Sequence, residues 1–417
     1  MVPLARALLL ACVCAGCGSR TGLLDLEARD RPDAGTRDAG PPDAAPPPPD
    51  AAPLPDAERP REREPAVMVA AGLFHTCAAT RAGRVHCWGH NNQGQVGDGT
   101  TATRLDPTPS AGIGDAVSVA AGREHTCALL AAGRLVCWGA NLAGQVGDDS
   151  FDVIVPSARR VALPAAVQVS AGGTHTCARV EGDRLYCWGD NAFGQVGPSA
   201  RGTYRAPIEV PLGEPVLEVS AGFQHTCALV ASRRVLCWGQ SALVVRPPPD
   251  GSLPRFAPRP VPGLPPVDRL ASGDYDSCAV DEASTAWCWS FRVVSGGFDG
   301  RDEVVPDRAE PVSEIGAVAQ IALGHEFRCA VDLDGRVTCW GNNDRGQLGD
   351  GGADARPGAF VTPIGLPETR LLGAGWRHAC ALAPDGVVRC WGRNWEGQLG
   401  DGTGGEHRPP VVAGVFR

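Results

Sequence analysis

The stretch His75-Thr76-Cys77-Ala78-Ala79-Thr80-Arg81-Ala82-Gly83-Arg84-Val85-His86-Cys87-Trp88-Gly89 decides the fold. A hairpin centred on Ala82 places Cys77 and Cys87 directly opposite each other on antiparallel strands. Gly83, one residue past the midpoint, supplies the positive φ that a three-residue hairpin loop needs. On the second strand Val85 and Cys87 share one face and Trp88 takes the other, so both faces of the sheet call for cover.

The unit recurs seven times, with leading cysteines at Cys77, Cys127, Cys177, Cys227, Cys278, Cys329 and Cys380, spaced 50 or 51 residues apart. Each is followed by its partner, Cys87, Cys137, Cys187, Cys237, Cys288, Cys339 or Cys390. A fixed period near fifty built from strands buried on both faces means a propeller or a solenoid. The repeats begin on a strand, Val67 to Ala70. The chain ends with Pro409 to Val415, equivalent to the stretch just before such a strand. This phase predicts a closed all-β ring of seven blades, sealed by pairing the N-terminal strand with the C-terminal one, and almost no helix.

Upstream of the repeats, residues 1–17 carry Arg6 and then an apolar run from Ala7 to Gly16, the layout of an export signal and too short to cross a membrane. Its end, Cys14-Ala15-Gly16-Cys17, resembles the lipobox of bacterial lipoproteins. That resemblance implies lipidation of Cys17, with Cys12 as the alternative, and Gly18 implies sorting to the outer membrane; a plain secreted protein is the other reading. Residues 18–65 repeat Pro-Asp-Ala, run through Pro46 to Pro49 and end in alternating charges, a composition that cannot build a core and reads as a disordered tether. The repeat domain spans residues 66–417.

In an exported chain, fourteen repeat cysteines, two per unit with none left over, read as a disulfide framework within the blades. Zinc needs a fourth ligand beside His75, Cys77 and Cys87, and none is evident; the repeat histidines read as hydrogen-bonded structural residues. Asn-x-x-Gly-Gln-x-Gly, as at Asn91 to Gly97, occurs five times between strands rather than once before a helix, so it reads as a blade turn and not a phosphate loop. Asp332, Asp334 and Gly335 likewise fall on a hairpin turn. All 38 basic residues are arginine and the net charge is −9, which argues against Schiff-base chemistry and against a nucleic-acid surface. No catalytic set stands outside the repeat pattern, and no cofactor or metal is expected.

Gly-x-x-His-Thr-x-Ala-Leu, as at Gly122 to Leu129, followed by Trp-Gly, Asn and Gly-Gln-x-Gly, resembles the regulator of chromosome condensation repeat family over roughly residues 66–417. The resemblance implies a seven-bladed propeller of four-stranded blades. The family's namesake is a nuclear guanine-nucleotide exchange factor, a role that an export signal and acidic repeats speak against. Exported bacterial members bind other proteins with one face of the ring, so the expectation is a surface-anchored, monomeric scaffold for an extracytoplasmic protein, held at the membrane by its lipid. The alternative is a glycan or envelope-polymer binder, which calls for aromatics clustered on one rim; Phe193, Trp376 and Trp395 are the available ones. The repeat pattern breaks at Gln240 to Pro266 and at Ser290 to Glu314, where Arg255, Phe256, Phe291 and Arg292 are the residue types that dominate interfaces. The binding surface is expected there.

Overall fold

A computed structural model describes residues 64–197, 201–240, 257–294, 303–354, 358–405 and 407–416. The expected signal, Cys17 with its alternative Cys12, and the tether lie outside these residues. Among the described residues no helix is long and apolar enough to cross a membrane.

Seven four-stranded antiparallel sheets make up the repeat region. In blade 1 the strands are Ala66–Ala71, His75–Thr80, Val85–Gly89 and Arg104–Pro109, paired in sequence order. Blades 2 to 7 repeat the pattern, from Ala116–Ala121 at the start of blade 2 to His407–Val412 at the end of blade 7. The only helical segments described are short 3-10 turns. First strands of neighbouring blades touch one another, so they line the axis. Gly72, Gly122, Gly172, Gly222, Gly273, Gly324 and Gly375 all border a single central cavity of about 90 Å³. A ring of seven closed blades is the only arrangement that brings one glycine from each to the same cavity.

The hairpin register is the one the cysteine spacing demands. Cys77 faces Cys87, and the six other pairs face each other likewise. All seven are disulfides within their own blade. Both sheet faces are buried: Val85, Leu135, Leu185, Val235, Ala286, Val337 and Val388 are at most 3 % exposed, and the seven tryptophans from Trp88 to Trp391 at most 7 %.

At the loop position of each hairpin φ is positive, with glycine in four blades (Gly83, Gly133, Gly335, Gly386) and Asp183, Arg233 and Ser284 in the other three. A side chain in that region costs roughly 1 kcal/mol. Ser284→Gly is therefore expected to stabilise the domain by up to about 1 kcal/mol in urea denaturation; no gain would mean that the turn is already relaxed.

Ring closure differs from the expectation. The strand Ala66–Ala71 pairs only with its own hairpin, and His407–Val412 only with Val388–Gly392, so the first and last blades are each whole. The repeat phase starts on the innermost strand and ends on the outermost, leaving no fragment to share. Blade 7 instead docks face to face on blade 1. The Ala66 N–H donates to the Gly386 carbonyl at 3.0 Å, and Phe416, fully buried, packs beside Trp88 and His86.

Candidate functional site

The seams between blades are built from the repeat residues. In five of them a buried histidine meets the hydroxyl of the following blade: His75 with Thr126, His125 with Thr176, His175 with Thr226, His225 with Ser277 and His378 with Thr76, all at 2.8–2.9 Å. The threonine hydroxyls in turn donate to the backbone carbonyls of Gln95, Gln145, Gln195 and Gln398. A hydroxyl whose proton is committed to a carbonyl accepts from the histidine, which fixes a proton on Nε2. Nδ1 is buried without a partner, which disfavours a second proton and keeps the ring neutral. Both repeat cysteines and the imidazole are thus committed to structure.

The same glutamine carbonyls, with that of Gln347, accept the indole N–H groups of Trp138, Trp188, Trp238, Trp391 and Trp88 at 2.9–3.1 Å. Asn-x-x-Gly-Gln-x-Gly is therefore more than a turn: it clasps the next blade. The remaining two seams replace the histidine pair. Asp276 of blade 5 forms an ion pair with Arg328 of blade 6, and Phe327 of blade 6 stands at the histidine position opposite Ala379 of blade 7, both buried.

Each blade presents two segments at the end where the first strand turns into the second. One is the pair of residues after the axial glycine; the other is the start of the loop after Trp-Gly, since the second and third strands are antiparallel and His75 faces Gly89. In blades 5, 6, 7 and 1 these positions carry aromatics and arginines that touch. Trp376 lies edge-on to Phe74 at 5.2 Å and against His325 at 5.2 Å, and His325 contacts Tyr275 at 5.3 Å. The Arg393 guanidinium sits over Phe74 at 4.4 Å, Trp395 at 4.6 Å and Trp376 at 5.4 Å. Arg377 lies over Trp376 and Arg345 over Trp395, each at 4.7 Å.

Acidic partners hold the arginines in place. Glu396 accepts from Arg393 at 2.5 Å, Asp344 from Arg377, and Asp274 contacts His325 at 2.7 Å. Burial lowers the Arg393 pKa, while Glu396 opposes the shift. Burial also raises the Tyr275 hydroxyl, with Asp274 adding to it. The Arg393 side chain is only 12 % exposed, yet Trp395 beside it is 54 % exposed. A large ring held between partly buried arginines and open to solvent is pre-ordered for contact, with little side-chain entropy left to lose on binding.

Of the residues expected to bind, Arg255 and Phe256 lie outside the described residues. Phe291 belongs to a two-stranded hairpin, Phe291–Val294 with Glu303–Pro306, that packs on blade 4. There its ring lies 4.7 Å from His225 and is 6 % exposed, in one apolar cluster with Cys237 and Val304. It fills the core in place of the lost clasp rather than facing a partner. Arg292 is exposed and pairs with Asp307 at 3.1 Å. Trp376 and Trp395 meet in the cluster, while among the described residues no ring contact joins Phe193 to it. Sequence reasoning placed the surface elsewhere; the signal that marks the cluster is the pair of variable segments after the axial glycine and after Trp-Gly, where Phe74, Trp376 and Arg377 and then Arg393 and Trp395 fall.

The profile of the RCC1-like domain matches residues 112–416, and profiles of the regulator of chromosome condensation repeat match residues 82–129 and 67–95. Among curated proteins, the human E3 ubiquitin-protein ligase HERC2 is 32 % identical over 150 residues, 34 % of this chain and 3 % of that one. The Ultraviolet-B receptor UVR8 of Arabidopsis thaliana is 29 % identical over 148 residues, 34 % of this chain and 33 % of its own. Two solved structures share the fold: human WBSCR16, with a TM-score of 0.64 and 21 % identity over 77 % of this chain and 87 % of that one, and Prp20p of Saccharomyces cerevisiae, with 0.65 and 20 % over 85 % and 88 %.

Proposed function

Because the chain belongs to the family of RCC1-like domains, we propose that it is a protein-binding scaffold acting outside the cytoplasm, and that its binding surface is the aromatic and arginine cluster on blades 5, 6, 7 and 1. The single observation that carries this reading is Arg393, largely covered by Phe74, Trp376 and Trp395 and leaving Trp395 open. Tryptophan, tyrosine and arginine are the residues that dominate interface energetics. Prp20p, which shares the fold, is described as binding Gsp1p and histones, so a ring of this architecture serves as a platform for other proteins. Seven disulfides support an oxidising compartment, and lipid attachment at Cys17 supplies the anchor in this proposal.

Glycan binding is the second reading, favoured by the clustering of Trp376 with Trp395. Sugars stack on open ring faces. Here guanidinium groups already lie over Phe74, Trp376 and Trp395, which favours a protein.

A photo-crosslinking amino acid at position 395 captures the partner in the producing cells, and a chain without lysine makes amine reagents a poor substitute. Trp395→Ala and Arg393→Ala are then expected to weaken binding by about 2 kcal/mol, roughly 30-fold, with the melting temperature of Trp395→Ala unchanged. If both variants bind like the parent, the surface lies elsewhere.

A further inference from the structure

We propose that the Cys278–Cys288 bridge of blade 5 is a thiol-exchange site, open to an external dithiol while the ring remains folded and the other six bridges stay closed. Thirteen of the fourteen repeat cysteines are 0 or 1 % exposed. Cys288 is the exception and is only partly buried. It borders a cavity of about 420 Å³ between blades 5 and 6, together with Ser290, Asp307, Arg308 and Arg328.

The opening has a definite cause. In blades 1, 2, 3, 6 and 7 the residue after the clasping glutamine, Val96, Val146, Val196, Leu348 or Leu399, is fully buried and clusters with the cysteines of the blades. Ser110 shows how close this cover is: its hydroxyl donates to the Val96 carbonyl at 2.7 Å and touches Cys87 Sγ at 3.5 Å. Blade 4 lacks the Asn-x-x-Gly-Gln-x-Gly motif, and Phe291 and Val304 from the hairpin of blade 5 pack into the cluster of Cys237. The described strands of the blade 5 loop, Phe291–Val294 and Glu303–Pro306, thus pack on the neighbouring blade 4. The bridge of blade 5 faces blade 6, where a bulky Arg328 replaces the threonine that packs on the bridges of other seams.

The exchange is a two-electron transfer from a dithiol. Its thiolate attacks Cys288 Sγ, a bond forms between reductant and Cys288 as the Cys278–Cys288 bond breaks, and Cys278 leaves as a thiolate that takes up a proton. The second thiol of the reductant then displaces Cys288, giving a cyclic disulfide and two protein thiols. The cavity's charges are largely balanced, Arg328 being paired with Asp276 and Arg308 and Arg328 standing beside Asp307 and Glu310, so access to Cys288 rather than a net positive charge is what sets this bridge apart.

Blade 5 is also the one blade with no glutamine clasp seen on either side among the described residues, and the buried Trp289 indole has no partner among them. Release of this bridge therefore loosens one blade without dismantling the others.

The purified protein is treated with dithiothreitol under native conditions, quenched with an alkylating reagent at intervals, and mapped by peptide mass. Cys278 and Cys288 are expected to be labelled together, at least tenfold faster than any other pair, while the near-ultraviolet circular dichroism of the other blades persists. Another pair reacting first, or all seven reacting at the rate of global unfolding, overturns the proposal. A Cys278→Ser, Cys288→Ser double variant is expected to fold and to lack the fast phase. If a fast phase survives in it, the phase belongs to another bridge; if the variant does not fold, the order of labelling in the parent still decides.

Discussion

Acidification from pH 7.5 to 5.5, with disulfides intact, is expected to cut the unfolding free energy by about 5 kcal/mol. Burial holds His75, His175, His225 and His378 at a pKa of about 3 and His125 at about 4, with neighbouring histidines adding to the shift at His75 and His175. In the unfolded chain each titrates near its ordinary value. Below that value the unfolded state binds more protons than the folded one, so stability is complete above about pH 6.5 and falls as pH drops toward 3 to 4. At pH 5.5 each histidine loses about 1.4 kcal/mol, or about 7 for the five. Glu218, raised to about 7 by burial, works the other way: it gains a proton in the folded state first and returns about 2 kcal/mol. The remainder is a large part of a domain's usual margin. Urea titrations at the two pH values measure it, and a flat profile would mean that the imidazoles are not held neutral. The molecule supplies its own control in the seam where phenylalanine faces alanine: His125→Phe with Thr176→Ala should keep the ring folded and remove about one fifth of the histidine contribution.

The second large effect is steric. A methyl group at Gly122 would stand 2.3 Å from His125 Cε1 and 2.5 Å from the Gly172 carbonyl oxygen. Neither can yield easily, because His125 is tied to Thr176 and Gly172 accepts the Arg123 N–H of the neighbouring blade at 3.1 Å. Gly122→Ala is expected to cost about 3 kcal/mol, the upper end for overpacking. Gly114→Ala, with nothing within 4 Å of the added carbon, should stay within about 0.5 kcal/mol. Equal denaturation midpoints for the two variants would refute the account of the axial glycines.

The blade, its register and its disulfides were legible because each depends on residues within one repeat: two cysteines, a turn glycine and an alternating strand. What crosses a seam was hidden. Nothing in Gln95 announces that its carbonyl serves Thr126 and Trp138 of the next blade, and Asp276 looks like a lapse in the histidine column until Arg328 is seen beside it. Phe291 misleads for the opposite reason. An aromatic in a broken repeat looks like a surface feature, but the loss of a clasp leaves a hole in the core, and a nearby ring fills it. The variable columns were informative once aligned by blade, since Phe74, Trp376 and Trp395 are far apart in sequence and adjacent only around the axis.

Whole first and last blades change how this ring assembles. In a propeller sealed by a shared strand, one blade must wait with an open hydrogen-bonding edge until the far end of the chain arrives, and an open edge invites pairing with another molecule. Here every blade completes its own ladder from consecutive residues, and its bridge joins cysteines close enough in sequence to meet as soon as their hairpin has formed. Blades are thus able to mature one after another in the order of synthesis. Only the last docking, of blade 7 and Phe416 onto blade 1, waits for blade 7 itself to be made.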